Sequence, residues 1–434
     1  MSDRYIRVNE RWRAARRILV VRIDNLGDVL VTTPAIHAVK DSLPEASLTL
    51  LASPVGAQVG RLNPDLDDVI VYQSPQMDPW RKMTQDSARE QRTIAAIKER
   101  RFDGAIIFTS YRQSSLPAAY LCYLADIPLR HAASIDGPGS LLTTRHTHPE
   151  RMMHEVERGL DLVGALGLDT DERDLVLSVP DDARAEVREI LANLTVRDAM
   201  TSSPRSHGQE NHAEARRGWG VRESGPLVVV HPGCSMPART YPWEMFAAVV
   251  DLLVERLGAT VALTGAEDER DLVERVYKRV RADHQPSVLP LAGALSFPAM
   301  CALVEGTDLT ITNNTGPMHI AAAVKTPVVA LFALTNPPEQ WGPWHVPRRQ
   351  LYHDVPCRIC YHRVCPYAHE CLTLVSPETV VAAAAELLIE APSAGGTQQK
   401  RGEEPASIPL TVGSSVGAGS SWRPVGDVDV EDDR

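Results

Sequence analysis

The chain lacks any apolar run approaching the roughly 20 residues that an α-helix needs to cross a bilayer. Its first residues also lack the apolar centre of a secretion signal. A cytosolic protein is the expectation. Net positive charge is missing too: 45 Lys and Arg stand against 56 Asp and Glu, leaving −11. A general nucleic-acid binder concentrates Lys and Arg on phosphate contacts, so no nucleic-acid partner is expected. The one basic stretch is the leader, residues 1–16, in "MSDRYIRVNERWRAARR", whose six arginines (the last of them Arg17) face only Asp3 and Glu10. It reads as a solvated leader ahead of the first strand, with contact to a membrane surface as the alternative.

Two nucleotide signatures are absent as well. The dinucleotide fingerprint needs G-x-G-x-x-G after the first strand, where this chain has "RIDNLGDVL". Hydride transfer is therefore disfavoured. The phosphate loop ending in Gly-Lys-Ser or Gly-Lys-Thr is also missing, which disfavours an NTPase or kinase of that type.

What is present is an alternation of strands and helices. "RILVVRI", "ASLTLLAS", "DDVIVY" and "FDGAIIFT" are short aliphatic runs separated by helical stretches or loops, the pattern of a parallel sheet covered on both faces. The helical "HPERMMHEVERGLDLVGALGL" closes this first half, with Met153, Val156, Leu160, Leu162 and Val163 at helical spacing. Alternation restarts at "PLVVVHPG" and runs through "ATVALTGA", "DLTITNN" and "TPVVALFA". At 434 residues the chain is long enough for two cores, because single cores stop growing beyond roughly 250–300 residues. The expected organisation is an α/β protein of two doubly wound domains: leader 1–16, first domain 17–195, polar insertion 196–225, second domain 226–392 and a disordered tail 393–434.

Several junctions carry chemistry. Asp28 follows Gly27 where the first strand turns into a helix, at the strand end where ligands of such sheets bind. Taken alone, it could equally cap that helix. "TNNTGPMHIAAA" follows a strand and opens a helix near Gly316, so Thr315 and the next amides sit at a positive dipole end suited to a diphosphate; a plain helix cap at Asn314 or Thr315 is the equal alternative. Arg239 in "HPGCSMPARTYPWEMF" can pair its planar fork with phosphate oxygens, or be an ordinary surface arginine. Glu269 belongs to three acids at a helix start, which balance its dipole or accept hydrogen bonds from a ribose.

Together, "RIDNLGDVLVTTPAIHAVK", "HPGCSMPARTYPWEMFAAVV", "LTGAEDERDLVERV" and "TDLTITNNTGPMHIAAAVKTPVVALFALTNPPEQWGPW" resemble glycosyltransferase family 9, the ADP-heptose:lipopolysaccharide heptosyltransferases, in the family's order over residues 17–391. The resemblance implies a GT-B fold, two Rossmann-like domains facing across a cleft. It further implies inverting, metal-independent transfer from an ADP-sugar, with the donor on the second domain and a lipid-linked or other glycan acceptor on the first. Asp28 matches the family's general base, and Arg22 and Gly27 fall on the acceptor side. Arg239 replaces the usual lysine and Asn314 a frequent aspartate; with Glu269, Thr315, Gly316, Met318 and His319 they match the donor site. ADP-sugar is a substrate, so no cofactor is expected, and the cytoplasmic face of the inner membrane is the place implied. The alternative class is a non-catalytic sugar-nucleotide or glycan-binding relative, against which the intact Asp28 speaks.

One constellation stands apart. Cys357, Cys360, Cys365 and Cys371 have Cys-x2-Cys-x4-Cys-x5-Cys spacing within the segment 357–371. Four thiolates so spaced can hold structural zinc, but reduced thiols are the favoured reading. Cys122, Cys234 and Cys301 lie in apolar segments or at strand ends and read as packing residues.

Overall fold

The computed structural model describes residues 9–77, 83–199 and 225–390; most of the expected polar insertion, and the expected tail, lie outside the described residues. The first half builds a six-stranded sheet from β1 (Arg17–Arg22), β2 (Ser47–Ala52), β3 (Asp68–Val71), β4 (Gly104–Ile107), β5 (Leu129–Ala133) and β6 (Thr144–His146). Its order is β3-β2-β1-β4-β5-β6, all parallel. The second half repeats this with β7 (Leu227–His231), β8 (Thr260–Leu263), β9 (Val288–Pro290), β10 (Leu309–Asn313), β11 (Val328–Leu331) and β12 (Arg348–Leu351), ordered β9-β8-β7-β10-β11-β12 and also all parallel. Both sheets thus reverse direction beside their first strand, β1/β4 and β7/β10. Crevices for ligands open at those switch points.

Alternate residues of the central strands feed opposite faces. Leu19 and Val21 join the outer cluster of the first sheet, while Ile18 and Val20 point inward. Val228 and Val230 likewise face outward and Val229 inward. The two inner faces do not close two separate cores: one buried cluster runs from Val20 and Ile36 through Val156 to Ile320 and Phe332. The helices Leu26–Ser42 and Gly316–Ala323 carry it across the cleft.

The strands β5, β6 and β12 escape the sequence reading because their polar residues hide the aliphatic pattern. β5 contains Arg130, whose guanidinium donates to the carbonyl oxygens of Leu141 and Ser140 (both 2.8 Å), and His131, which bonds the carbonyl oxygen of Leu162 (2.8 Å). β6 and β12 are short polar edges, a common way to blunt a sheet edge.

Two segments differ from their expected placing. The leader is exposed over residues 9–16 except at two positions: Trp12 is 1 % exposed and Ala15 is buried with it. The indole packs against Gly104, where an added Cβ would meet it at 2.7 Å, and meets the His131 ring edge-on. Burying a large aromatic outweighs exposing the neighbouring arginines. The helix Asp181–Ala199 precedes the expected domain boundary yet packs on the second half. Arg184 Nε lies 2.6 Å from Glu305 Oε2, and Ser296 Oγ donates to Glu186 Oε2 at 3.1 Å.

Candidate functional site

At the first switch point β1 ends on Arg22 and the helix Leu26–Ser42 starts one residue before the expected Gly27. Asp28 is the third residue of that helix, and its Oδ2 accepts the Asn25 N–H at 3.1 Å. Its Oδ1 accepts from Arg22 Nη2 (3.1 Å) and from Ser110 Oγ (3.0 Å), beyond the end of β4. The capping reading of Asp28 is therefore realised through Oδ2, while Oδ1 is held by Arg22 and Ser110.

Arg22 is 1 % exposed and sits among three carboxylates: Asp24 (3.2 Å), Asp28 (3.1 Å) and Glu155 (4.0 Å). Burial disfavours its charge, but these carboxylates outweigh burial and raise its pKa. Burial pushes Asp24 up to about 6 against the pull of Arg22, and Gln113 Nε2 donates to it at 2.6 Å. Glu155 is also raised by burial; it accepts from Gln340 Nε2 (2.5 Å) and pairs with Arg158 Nε (3.3 Å).

The second switch point is built differently. Thr315 occupies the cap position of the helix Gly316–Ala323, but its side chain makes no capping hydrogen bond. The plain-cap alternative is thus not what the structure contains. Asn314 Nδ2 donates to Asn336 Oδ1 at 3.0 Å, whereas Asn314 Oδ1 is buried without a partner. His319 Nδ1 is also buried and unpartnered. Burial, aided by the Arg239 charge, lowers the His319 pKa to about 4. Buried polar atoms are rarely left without a partner, so two of them this close in sequence set this helix start apart.

Arg239 ends the short turn Pro237–Arg239 and is not the ordinary surface arginine of the bland reading. Burial lowers its pKa, with the charges of Cys234, Asp28 and Cys360 acting the other way. Nε donates to Thr335 Oγ1 at 2.9 Å, and the guanidinium makes no other hydrogen bond or ion pair among the described residues. Glu269 ends the turn after β8 and reaches across to the end of β7: its Oε2 accepts the Ala266 N–H (2.9 Å) and lies 3.5 Å from His231 Nε2. Gly233 lies against the same carboxylate.

The halves meet at these residues. A Cβ on Gly27 would stand 2.7 Å from His319 Cδ2, so glycine is needed for close approach. A Cβ on Gly316 would lie 3.2 Å from Leu26 Cδ2. Two helix starts, each a positive dipole end, therefore face one another. Arg112 stacks over Tyr361 at 4.5 Å, and His154 Nε2 donates to the Gly342 carbonyl oxygen at 2.9 Å.

Most of the expected site residues are thereby gathered, but Met318 is 1 % exposed and its side chain belongs to the core. The sequence reading missed Asp24, Ser110, Gln113, Glu155, Thr335 and Asn336, which carry no motif spacing. Cys234 is not simply packing: it neighbours Thr315 and Arg239. A signal existed for Asn313, the first of the Asn-Asn pair that leads into the helix: its Oδ1 accepts the Tyr241 N–H (2.9 Å) and its Nδ2 donates to the Pro232 carbonyl oxygen (2.9 Å), pinning the Arg239 loop to β10.

The cysteine segment backs this loop. Ala238 N donates to Arg363 O (2.9 Å), Cys360 N to Leu334 O (3.2 Å) and Tyr361 N to Thr335 O (3.0 Å). The four cysteines are free thiols, and no three of them bring their sulfurs within 4.8 Å of one another.

Comparison with known proteins identifies the family and the fold. The family model "Glycosyltransferase family 9 (heptosyltransferase)" matches residues 91–370. Lipopolysaccharide heptosyltransferase 3 of Escherichia coli (strain K12) is 27% identical over 378 residues, covering 86% of this chain and 98% of that protein. The crystal structure of a family 9 glycosyl transferase from Veillonella parvula DSM 2008 superposes with a TM-score of 0.68 at 20% identity, covering 87% of this chain and 98% of that one. E. coli ADP-heptose lps heptosyltransferase II gives a TM-score of 0.64 at 18% identity over 86% and 99% of the two chains. The fold is GT-B.

Proposed function

Because the chain belongs to glycosyltransferase family 9, we propose that this glycosyltransferase moves a heptose or related sugar from an ADP-sugar to a lipopolysaccharide core, or another glycan, with inversion and without a catalytic metal. The observation that carries the reading is the pairing of the two switch points. A carboxylate, Asp28, stands on one side of the cleft; a half-buried arginine and two unpartnered polar atoms stand on the other.

The donor is assigned to the second half. The amides from Gly316 onward and the Arg239 guanidinium hold the diphosphate and take up the charge that grows on departing ADP. A neutral His319 offers a ring N–H to the same oxygens, Asn314 Oδ1 accepts a donor hydroxyl, and Glu269 accepts from the ribose. The acceptor is assigned to the first half. A sugar hydroxyl is a poor nucleophile at neutral pH, so Asp28 takes its proton as the oxygen attacks the anomeric carbon. Arg22 and Ser110 orient that carboxylate. The acceptor oxygen gains the glycosidic bond while the bond from the anomeric carbon to the diphosphate breaks.

The donor named for the E. coli relative is ADP-heptose, and that name guides the choice of sugar. Among the described residues no helix is long and apolar enough to cross a membrane; a lipid-linked acceptor would be met at the cytoplasmic face of the inner membrane. Mass spectrometry of surface glycan from a strain lacking the gene should show a missing heptose. An unchanged glycan would remove the proposal.

A further inference from the structure

Away from the cleft, one cluster of side chains has ligand geometry and no part in the transfer. His146 ends β6 and His148 follows two residues later, so both imidazoles leave the sheet edge together. They converge on Asp161 from the helix Glu155–Gly164. His146 Nε2 lies 2.6 Å and His148 Nδ1 2.7 Å from the same oxygen, Asp161 Oδ2. The rings stand edge to face with centroids 4.9 Å apart. All three ligand atoms lie within 4.8 Å of one another, the one such group of three or more His, Cys, Asp or Glu residues among the described residues.

We propose that His146, His148 and Asp161 form a binding site for one divalent transition metal ion. Two imidazoles and a carboxylate are the donor set that zinc and its first-row neighbours accept, whereas magnesium and calcium call for oxygen donors. Three protein ligands leave one position for water. Binding asks each ring to present a lone pair where it now faces the carboxylate, which a shift of the ring proton to the other nitrogen provides. The cation facing the cluster is Arg158, and its pairing with Glu155 at 3.3 Å offsets that charge.

The consequence is structural. β6 is a three-residue edge strand, held to its neighbour by a short ladder, and the metal would tie it to the helix that presents Glu155 to Arg22.

The test uses full-length, tag-free, metal-free protein titrated with zinc chloride alone, and separately with cobalt(II) as an optical probe. One ion per chain should bind, and the cobalt form should show visible d–d bands without a thiolate charge-transfer band. In H146N/H148N and in D161N the zinc affinity should fall by more than the about 100-fold that loss of an outer partner costs. C357S/C360S should bind as the unaltered chain does. The cobalt spectrum of the unaltered protein reads the ligand set even if a variant fails to fold. Absence of binding, a thiolate band, loss of binding in C357S/C360S, or undiminished binding in the folded histidine and aspartate variants would overturn the proposal.

Discussion

The two halves share one sheet order and one strand-to-helix junction, yet their switch points are opposite in kind. In the first, Arg22, Asp24, Asp28 and Glu155 satisfy one another, and every oxygen of Asp28 already accepts a hydrogen bond. In the second, the Arg239 guanidinium has a single hydrogen bond among the described residues, while Asn314 Oδ1 and His319 Nδ1 have none. A site whose charged groups already bond one another is suited to a neutral hydroxyl and to a proton transfer. An incomplete, positive one is suited to a diphosphate. Topology places both clefts; charge balance tells them apart.

The sharpest break in that comparison is at Asp28. D28N should lower transfer by about 100- to 10,000-fold, the range for a general base, while ADP affinity measured by calorimetry stays within a few-fold, because the carboxylate serves the acceptor. Parallel loss of both would erase the division of labour between the halves.

Next in size is Arg239. R239A should cost about 2–4 kcal/mol in donor use and ADP affinity, as for one charged partner of a buried phosphate contact, and R239K should restore much of it. The acceptor's apparent affinity should hardly change. Normal donor kinetics in R239A would leave the diphosphate to the helix start alone.

A smaller effect tests how the halves are joined. His154 is held neutral by burial, with a pKa lowered to about 3, although Gly342 O accepts its Nε2–H. A histidine depressed on folding contributes stability that is present above its unfolded value, near 6.5, and is lost as pH falls from there toward the folded one. Between pH 7 and 5 the loss should be about 2 kcal/mol, and H154Q should flatten the pH dependence of the urea midpoint over that interval. Equal slopes in the two proteins would count against this junction as a source of acid sensitivity.

The smallest effect expected is none. Initial rates in EDTA should match those without it, since Arg239 and helix amides carry the leaving-group charge in this reading. Inhibition by EDTA that magnesium relieves would place a cation on the diphosphate instead.

Much of this was legible beforehand because parallel strands buried on both faces must be nearly continuous aliphatic runs, and β1, β2, β4, β7, β10 and β11 are. The polar strands β5, β6 and β12 were not, since Arg130 and His131 are made tolerable in the interior only by carbonyl groups distant in sequence. Trp12 was misread because the leader's charge dominates its composition while its packing depends on the space left by Gly104.

By itself the sequence determined where strands give way to helices, and hence that Asp28, Glu269 and Thr315 stand at strand ends, because periodicity and turn residues are local properties of the chain. Only the tertiary structure decided that Asp28 shares Arg22 with Asp24 and Glu155, that His319 needs Gly27 to have no side chain, and that the Thr315 helix start is left uncapped. Those facts depend on groups brought together from far along the chain, and partner, charge balance and close approach exist only once the two sheets are folded and faced.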